Sequence, residues 1–407
     1  MCMPVRLLIN RSHGFRKEYN VNTKFFLNSF FADNQYLITF IPTMKSISVR
    51  IKDIAEKAGV STGTVDRVLH KRGKVAPDVE QRVLQALKDM NYEPNLIARA
   101  LGSNKSYRIA ALIPDPAYDN YWQAPKDGVE TAEAALRQYG VHVEQYLFNP
   151  YDVNCYIEKA KLLTQSGADG IFLSPIFYRE TLPFFSRWQE QNIPFVLFNT
   201  HIADAGALSY VGQDSYQSGL LAGKLIYYGQ QSPCSILIAH IDEEISNAAH
   251  LIKKEQGLRD YFAQNGLTEQ YNIVVTSLER CDPAIFSQKL DEVLSNNRAI
   301  QSIYITTSKA YDIAAWLEQK GIKNMKLVGY DLLPKNLHYL NNGQISFLIN
   351  QNPHGQGYCG IHQLANNLVF KKGVPELKYL PLDVVTKENV MYYTHPEMSY
   401  SNCSPAQ

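Results

Sequence analysis

The sequence predicts two folds in one chain: a small all-α helix-turn-helix headpiece, then an α/β body of two doubly wound, mostly parallel-sheet subdomains. Three observations carry this. Apolar residues recur at helical spacing on both sides of Gly59. From Tyr107 onward, short Val/Ile/Leu-rich runs alternate with amphipathic stretches of helical period, the pattern of right-handed β-α-β crossovers. Charge divides at nearly the same place: residues 45–108 carry 13 Lys and Arg against 7 Asp and Glu, whereas residues 109–407 carry 22 against 30. A compact basic module beside an acidic body implies that only the module approaches a polyanion.

At 407 residues the chain exceeds one ordinary core, so two or more domains are expected. With 45% hydrophobic and 19% charged residues it has the balance of a globular protein, and no uninterrupted apolar run reaches membrane-spanning length. No membrane partner is expected. The six cysteines (Cys2, Cys155, Cys234, Cys281, Cys359 and Cys403) are scattered, without a CxxC pair or a His at finger-like spacing. Neither a metal site nor a disulfide framework is therefore expected, and a reducing, cytoplasmic setting fits. Residues 1–43 read as neither a signal peptide nor a domain, because the apolar stretch from Phe25 to Ile41 is interrupted by Asn28, Asp33, Asn34 and Gln35. They stay unassigned, with the expectation that translation starts at Met44 and that this extension is a start-site error.

The first module is placed at residues 48–93. Two short helices sharing one core are expected between Ile51 and Leu69. Ala55 is small enough for a close crossing, Gly59 suits the positive φ of the turn, and Ser61 can cap the second helix. Lys74 to Tyr92 supplies a third helix, with Pro77 in its first turn and Val79, Val83, Leu84 and Leu87 as the buried stripe.

The run IKDIAEKAGVS from Ile51 to Ser61, then TVDRVL from Thr64 to Leu69, with Tyr92 to Asn95 and Ala98 to Leu101, resembles the LacI/GalR family of transcription regulators. The resemblance extends from about residue 49 to about residue 390. It implies that Ser61 to His70 is a recognition helix in the major groove of an operator, with Ser61, Thr62, Gly63, Thr64, Arg67 and His70 at the DNA. Arg67 should carry most direct readout, since Arg offers guanine a bidentate pair. Arg50 and Ala76 stand where the family has capping Ser or Thr, and Asp66 replaces a Ser, which puts the operator sequence in doubt. Residues 94–106 resemble the family's hinge helix, too short to be stable alone and expected to fold on DNA. Asn95, Ala98 and Leu101 belong to its contact set, Leu101 as the minor-groove wedge. The resemblance further implies a homodimer on a near-palindromic double-stranded operator.

Residues 107–390 resemble the periplasmic sugar-binding fold that the family uses as its sensor, leaving 391–407 as a tail. The chain is expected to cross between subdomains near 206–211, 330–333 and 350, with a small-molecule effector at the strand C-termini. Residues just past expected strand ends are chemically apt for this: Asp115, with Tyr118, Tyr121 and Trp122 close behind, then Asn199, Asp331 and Gln351. Carboxylates and amides grip vicinal hydroxyls and aromatic faces stack on sugar C–H groups, so the mix favours a neutral sugar. Lys254 stands where the family often has a ligand-binding Arg, and Thr306 and Thr307 replace its usual Asn-Asp pair.

Gly355, Gly357 and Gly360 match GxGxxG after an expected strand, but without a full βαβ unit or a ribose-binding acid, so helix packing explains them as well. No GxSxG elbow, P-loop, HExxH or Cys/His set points to catalysis, and no cofactor is expected. The alternative is a sugar-binding protein for transport or chemosensing. It would need a secretory signal and would have no use for residues 49–105.

Overall fold

The computed structural model describes residues 49–69, 72–90, 105–230, 232–242 and 249–394, together with the backbone of two strands, β1 (Val5–Asn10) and β2 (Arg16–Val21), paired antiparallel. The chain divides into two compact units, Met1–Pro94 and Asn95–Gln407. Among the described residues no helix is long and apolar enough to cross a membrane.

The first unit contains α1 (Ile51–Ala58), α2 (Thr62–Leu69) and α3 (Pro77–Asp89). Their shared core is Ile54, Ala55, Ala58, Val65, Val68, Val83 and Ala86. Gly59 ends α1 at φ 65°, a left-handed conformation that glycine adopts without a Cβ penalty. Ser61 Oγ accepts from the Thr64 amide at 3.2 Å, capping α2. Arg50 has no side-chain oxygen for the equivalent task in α1; instead, Asp53 reaches back and accepts from the Arg50 amide at 2.8 Å. Of the expected stripe, Val79 is only half-buried and outside the shared core, and Leu84 is displaced. Leu84 is 52% exposed, because Val83, Ala86 and Leu87 define the inward face of α3 and Leu84 lies a quarter-turn away from it.

The second unit holds two six-stranded sheets. In the N-terminal lobe the strands are β3 (Tyr107–Pro114), β4 (Val141–Phe148), β5 (Gly170–Leu173), β6 (Phe195–Phe198), β7 (Ser209–Gly212) and β13 (Leu377–Tyr379), all parallel, in the order β13-β7-β6-β5-β3-β4. In the C-terminal lobe they are β8 (Cys234–Ile241), β9 (Tyr271–Leu278), β10 (Ile300–Ile305), β11 (Lys326–Tyr330), β12 (Phe347–Asn350) and β14 (Asp383–Val385). Their order is β14-β12-β11-β10-β8-β9, with β14 alone antiparallel to its neighbour. Each sheet is buried on both faces, as a parallel sheet under helices must be. Along β3, Ile109, Ala111 and Ile113 enter one core while Ala110 and Leu112 enter another. Along β8, Leu237, Ala239 and Ile241 alternate in the same way with Ile236 and Ile238.

The chain changes lobe between Gly212 and Ser215, between Asn350 and Pro353, and between Tyr379 and Asp383. Only the crossing near 350 falls where the sequence places it. Residues 206–211 lead into and form β7, so that crossing follows a few residues later. Residues 330–333 run from β11 into a helix of the same lobe. The true third crossing joins two three-residue edge strands, too short to show a period.

Each lobe contains one helix pair in glycine-mediated contact. In the N-terminal lobe α4 (Gln123–Leu136) meets α12 (Pro353–Leu368): a Cβ on Gly128 would run into the His354 carbonyl oxygen, and one on Gly357 into that of Pro125. The GxGxxG glycines therefore serve packing, with Gly360 against the Phe172 ring. In the C-terminal lobe α7 (Ser215–Gly229) meets α8 (Ala249–Gln264), where Gly219 faces the Lys254 carbonyl and Gly257 that of Tyr216. This close approach fixes the point at which Lys254 leaves its helix.

Candidate functional site

In the first unit, α2 buries Val65 and Val68 and turns Thr62, Gly63 and Arg67 outward, all exposed, with Asp66 half-buried on the same side. Thr64 is half-buried, and its hydroxyl lies 3.0 Å from Ser61 Oγ. Ser61 and Thr64 thus form the cap of the helix while Thr62, Gly63 and Arg67 are presented. His70, Asn95, Ala98 and Leu101 lie outside the described residues, as does Met44.

In the second unit a cavity of about 280 Å³ opens between the lobes at the C-terminal ends of the strands. From the N-terminal lobe it is lined by Tyr121, Trp122, Ile176, Phe177 and Asn199, with Asp119 and Tyr151. The C-terminal lobe contributes Asp242, His250, Lys254, Asp331 and the run Thr306 to Lys309, and Gln351 stands at the crossing. Of the nine residues expected at an effector, seven are gathered here: Tyr121, Trp122, Asn199, Lys254, Thr306, Asp331 and Gln351. Asp115 and Tyr118 are not. The Asp115 carboxylate is used by its own turn, accepting from the Ala117 amide at 2.9 Å, and Tyr118 is 54% exposed.

The backbone explains why residues after strands converge. Asn199, Asp242 and Asp331 follow β6, β8 and β11 at φ 64°, 58° and 66°, a left-handed region that Asn and Asp tolerate better than other non-glycine residues. Each strand is thereby ended abruptly, with its next side chain at the cleft. Asp242 obeys the same rule as Asn199 and Asp331, so a search for Asn or Asp directly after an apolar run finds it. Asp119 and Lys309 were missed for a different reason: they form an ion pair across the cleft at 2.9 Å, both side chains nearly buried, and only the fold brings them together.

The polar groups are organised around Asp331. It is 1% exposed; Oδ2 accepts from Gln351 Nε2 at 2.6 Å, while Oδ1 has no hydrogen-bond partner among the described residues. Burial pushes its carboxyl up to about 7, against the opposing pull of the Lys254 ammonium and the Gln351 hydrogen bond. Lys254, 2% exposed, donates to the Thr306 carbonyl at 2.8 Å and lies 3.7 Å from the centre of the Tyr330 ring. Thr306 Oγ1 is 2.8 Å from Nδ1 of the fully buried His240, whose Nε2 is 3.2 Å from Glu255. Thr307 Oγ1 is buried without a partner among the described residues. On the other wall Asn199 Nδ2 donates to the Tyr121 hydroxyl at 2.7 Å, and Trp122 packs edge-on to Tyr121 and Phe198. Gln351 also accepts from Gln213 Nε2, so two of the three crossings are tied together beside Asp331.

Residues 50–95 match the bacterial regulatory proteins of the lacI family, and residues 109–372 match the periplasmic binding protein domain. A ribose operon repressor from Halalkalibacterium halodurans is 29% identical over 296 residues, which cover 70% of this chain and 80% of that protein. A protein from Bacteroides fragilis, described as a LacI transcriptional regulator, has a crystal structure similar at a TM-score of 0.65 and 29% identity, covering 71% of this chain and 100% of that one. A glucose-galactose binding protein from Geobacillus stearothermophilus shares the fold at a TM-score of 0.63 and 23% identity, over 70% of this chain and 99% of its own.

Proposed function

Since the chain belongs to the LacI family of bacterial regulatory proteins and is a DNA-binding transcription regulator with an effector-binding sensor, we propose that a neutral sugar of monosaccharide size, bound in the interlobe cavity, sets its affinity for operator DNA. The observation that carries this is Asp331, which lines the cavity and whose buried Oδ1 has no hydrogen-bond partner among the described residues. A sugar hydroxyl supplies one without adding net charge. The cavity's cations favour a neutral ligand too. Lys309 is matched by Asp119, and Lys254 is held by a carbonyl and an aromatic face. Trp122 and Phe177 offer apolar surface for the C–H face of the ring.

The coupling follows from position. The effector that engages Asp331 biases Gln351, and Gln351 with Gln213 holds two crossings. A ligand that prefers one lobe arrangement shifts the population toward it, and DNA must in turn change effector affinity by the same factor. At the operator, a homodimer sets two α2 helices on the half-sites of a near-palindrome, with Arg67 reading guanine and Leu101 wedging the minor groove. The role is regulatory rather than catalytic, and the working compartment is the cytoplasm, where the operator is. The similarity to a ribose operon repressor supports a pentose as the first class to test. Operator binding measured with and without a panel of neutral monosaccharides tests the proposal. A change in operator affinity with at least one sugar, lost in Asp331→Asn, is the expected result. A response only to anionic sugars would overturn it.

A further inference from the structure

The recognition helix carries a carboxylate where a helix facing DNA is expected to be neutral or basic. Residues of an α-helix advance by about 100° each, so Asp66 lies between Thr62 and Gly63 in projection, one turn further along. That places it on the presented side of α2, opposite Val65 and Val68, and next to Arg67. Gly63 beside it has no side chain, and a Cβ there would meet nothing nearer than Ser61 Oγ at 3.9 Å. The surface beside Asp66, over Gly63, is therefore open.

A negative charge here is unfavourable for phosphate contact, and every DNA sequence presents phosphates. Besides pairing with a basic neighbour within the protein, it becomes favourable against a hydrogen-bond donor on a base edge. In the major groove such donors are the exocyclic amino groups of cytosine and adenine. Adenine sets an acceptor, N7, beside its amino group, which disfavours a second carboxylate oxygen, whereas cytosine presents its amino group without one. Asp66 already has an interaction within the protein, which a carboxylate with two acceptor oxygens can keep while accepting from a base.

We propose that Asp66 is a specificity-determining residue of the operator interface, accepting from the N4 amino group of a cytosine in each half-site beside the guanine read by Arg67. This rests on the DNA-reading role of α2 given above. Its effect is twofold: one position is restricted to cytosine, and binding to DNA lacking that cytosine is lowered by repulsion.

The test is selection of bound duplexes from a random-sequence pool by the full-length protein, for wild type, Asp66→Asn and Asp66→Ser, with sequencing of the bound fraction. Wild type should enrich one invariant cytosine per half-site. Asp66→Ser should lose that preference, by roughly tenfold, while leaving the other positions unchanged. Asp66→Asn should move it toward adenine, whose N6 and N7 an amide matches. Two results would overturn the inference: variants that bind all sequences more tightly with every base preference intact, or variants that lose thermal stability with the same preferences. If wild type enriches no sequence at all, the DNA-reading role itself fails, which is a separate outcome.

Discussion

The two lobes face the same cavity with different chemistry. The N-terminal wall is mostly aromatic and amide, with Tyr121, Trp122, Phe177 and Asn199, whereas the C-terminal wall is charged and hydroxylic, with Asp242, Lys254, Thr306 to Lys309 and Asp331. Both lobes are built alike, from one doubly wound sheet and one glycine-paired helix contact. The difference therefore lies in the residues just past the strands and not in the architecture. An apolar wall recognises that a ring is present, whereas a wall of fixed donors and acceptors recognises which hydroxyls the ring carries. Affinity common to all sugars should reside in the first lobe and discrimination among them in the second.

That division breaks most visibly at Asp331. Asp331→Asn removes the cavity carboxylate that keeps an oxygen without a partner, whereas Asp119 and Asp242 are held in ion pairs, and effector affinity measured by calorimetry should fall roughly 30-fold, in line with about 2 kcal/mol for a hydrogen bond to a charged group. The loss should differ strongly between epimers. A pH series sharpens the same point. The carboxyl of Asp331, raised to about 7 by burial, accepts a hydroxyl most strongly when ionised, so affinity should be flat above about pH 8 and fall by up to about tenfold per unit below 7. In the effector-free protein the same shift opposes folding as pH rises from the ordinary carboxylate range to about 7, because the folded state favours the protonated form. Thermal stability of wild type relative to Asp331→Asn should decline over that interval. On the opposite wall, Trp122→Phe should weaken all sugars alike by a factor of about three, the scale of part of one aromatic contact. A change in the order of preference would contradict the division. The smallest effect on effector affinity is expected at Gln213, which joins the crossings without lining the cavity. Gln213→Ala should leave effector affinity within about twofold and reduce its influence on operator binding by about fivefold, compared by titrating both ligands.

Much of this was legible in the sequence because it is local. Ala55, Gly59 and Ser61 specify a tight turn between two helices wherever they occur at that spacing, and Asn199 and Asp331 directly follow apolar runs of strand length. What was not legible depends on distance. Asp119 and Lys309 are far apart in sequence and acquire meaning only when two lobes face each other. The crossing after Tyr379 joins strands of three residues, shorter than any readable period. Asp115 had the right type and place, yet its carboxylate closes its own turn, a competition between local backbone and ligand that residue order does not reveal. Leu84 shows the same limit in a helix: apolar character alone did not distinguish the inward face of α3 from its flank.

Reciprocity between cavity and operator is the central claim, and one experiment addresses it directly. The selected operator duplex is titrated with the full-length protein in the presence and absence of a saturating neutral sugar, and the sugar is titrated in the presence and absence of operator. Both affinities are expected to change, by the same factor of at least about fivefold. A sugar that binds the cavity tightly while leaving operator affinity unchanged would contradict that claim.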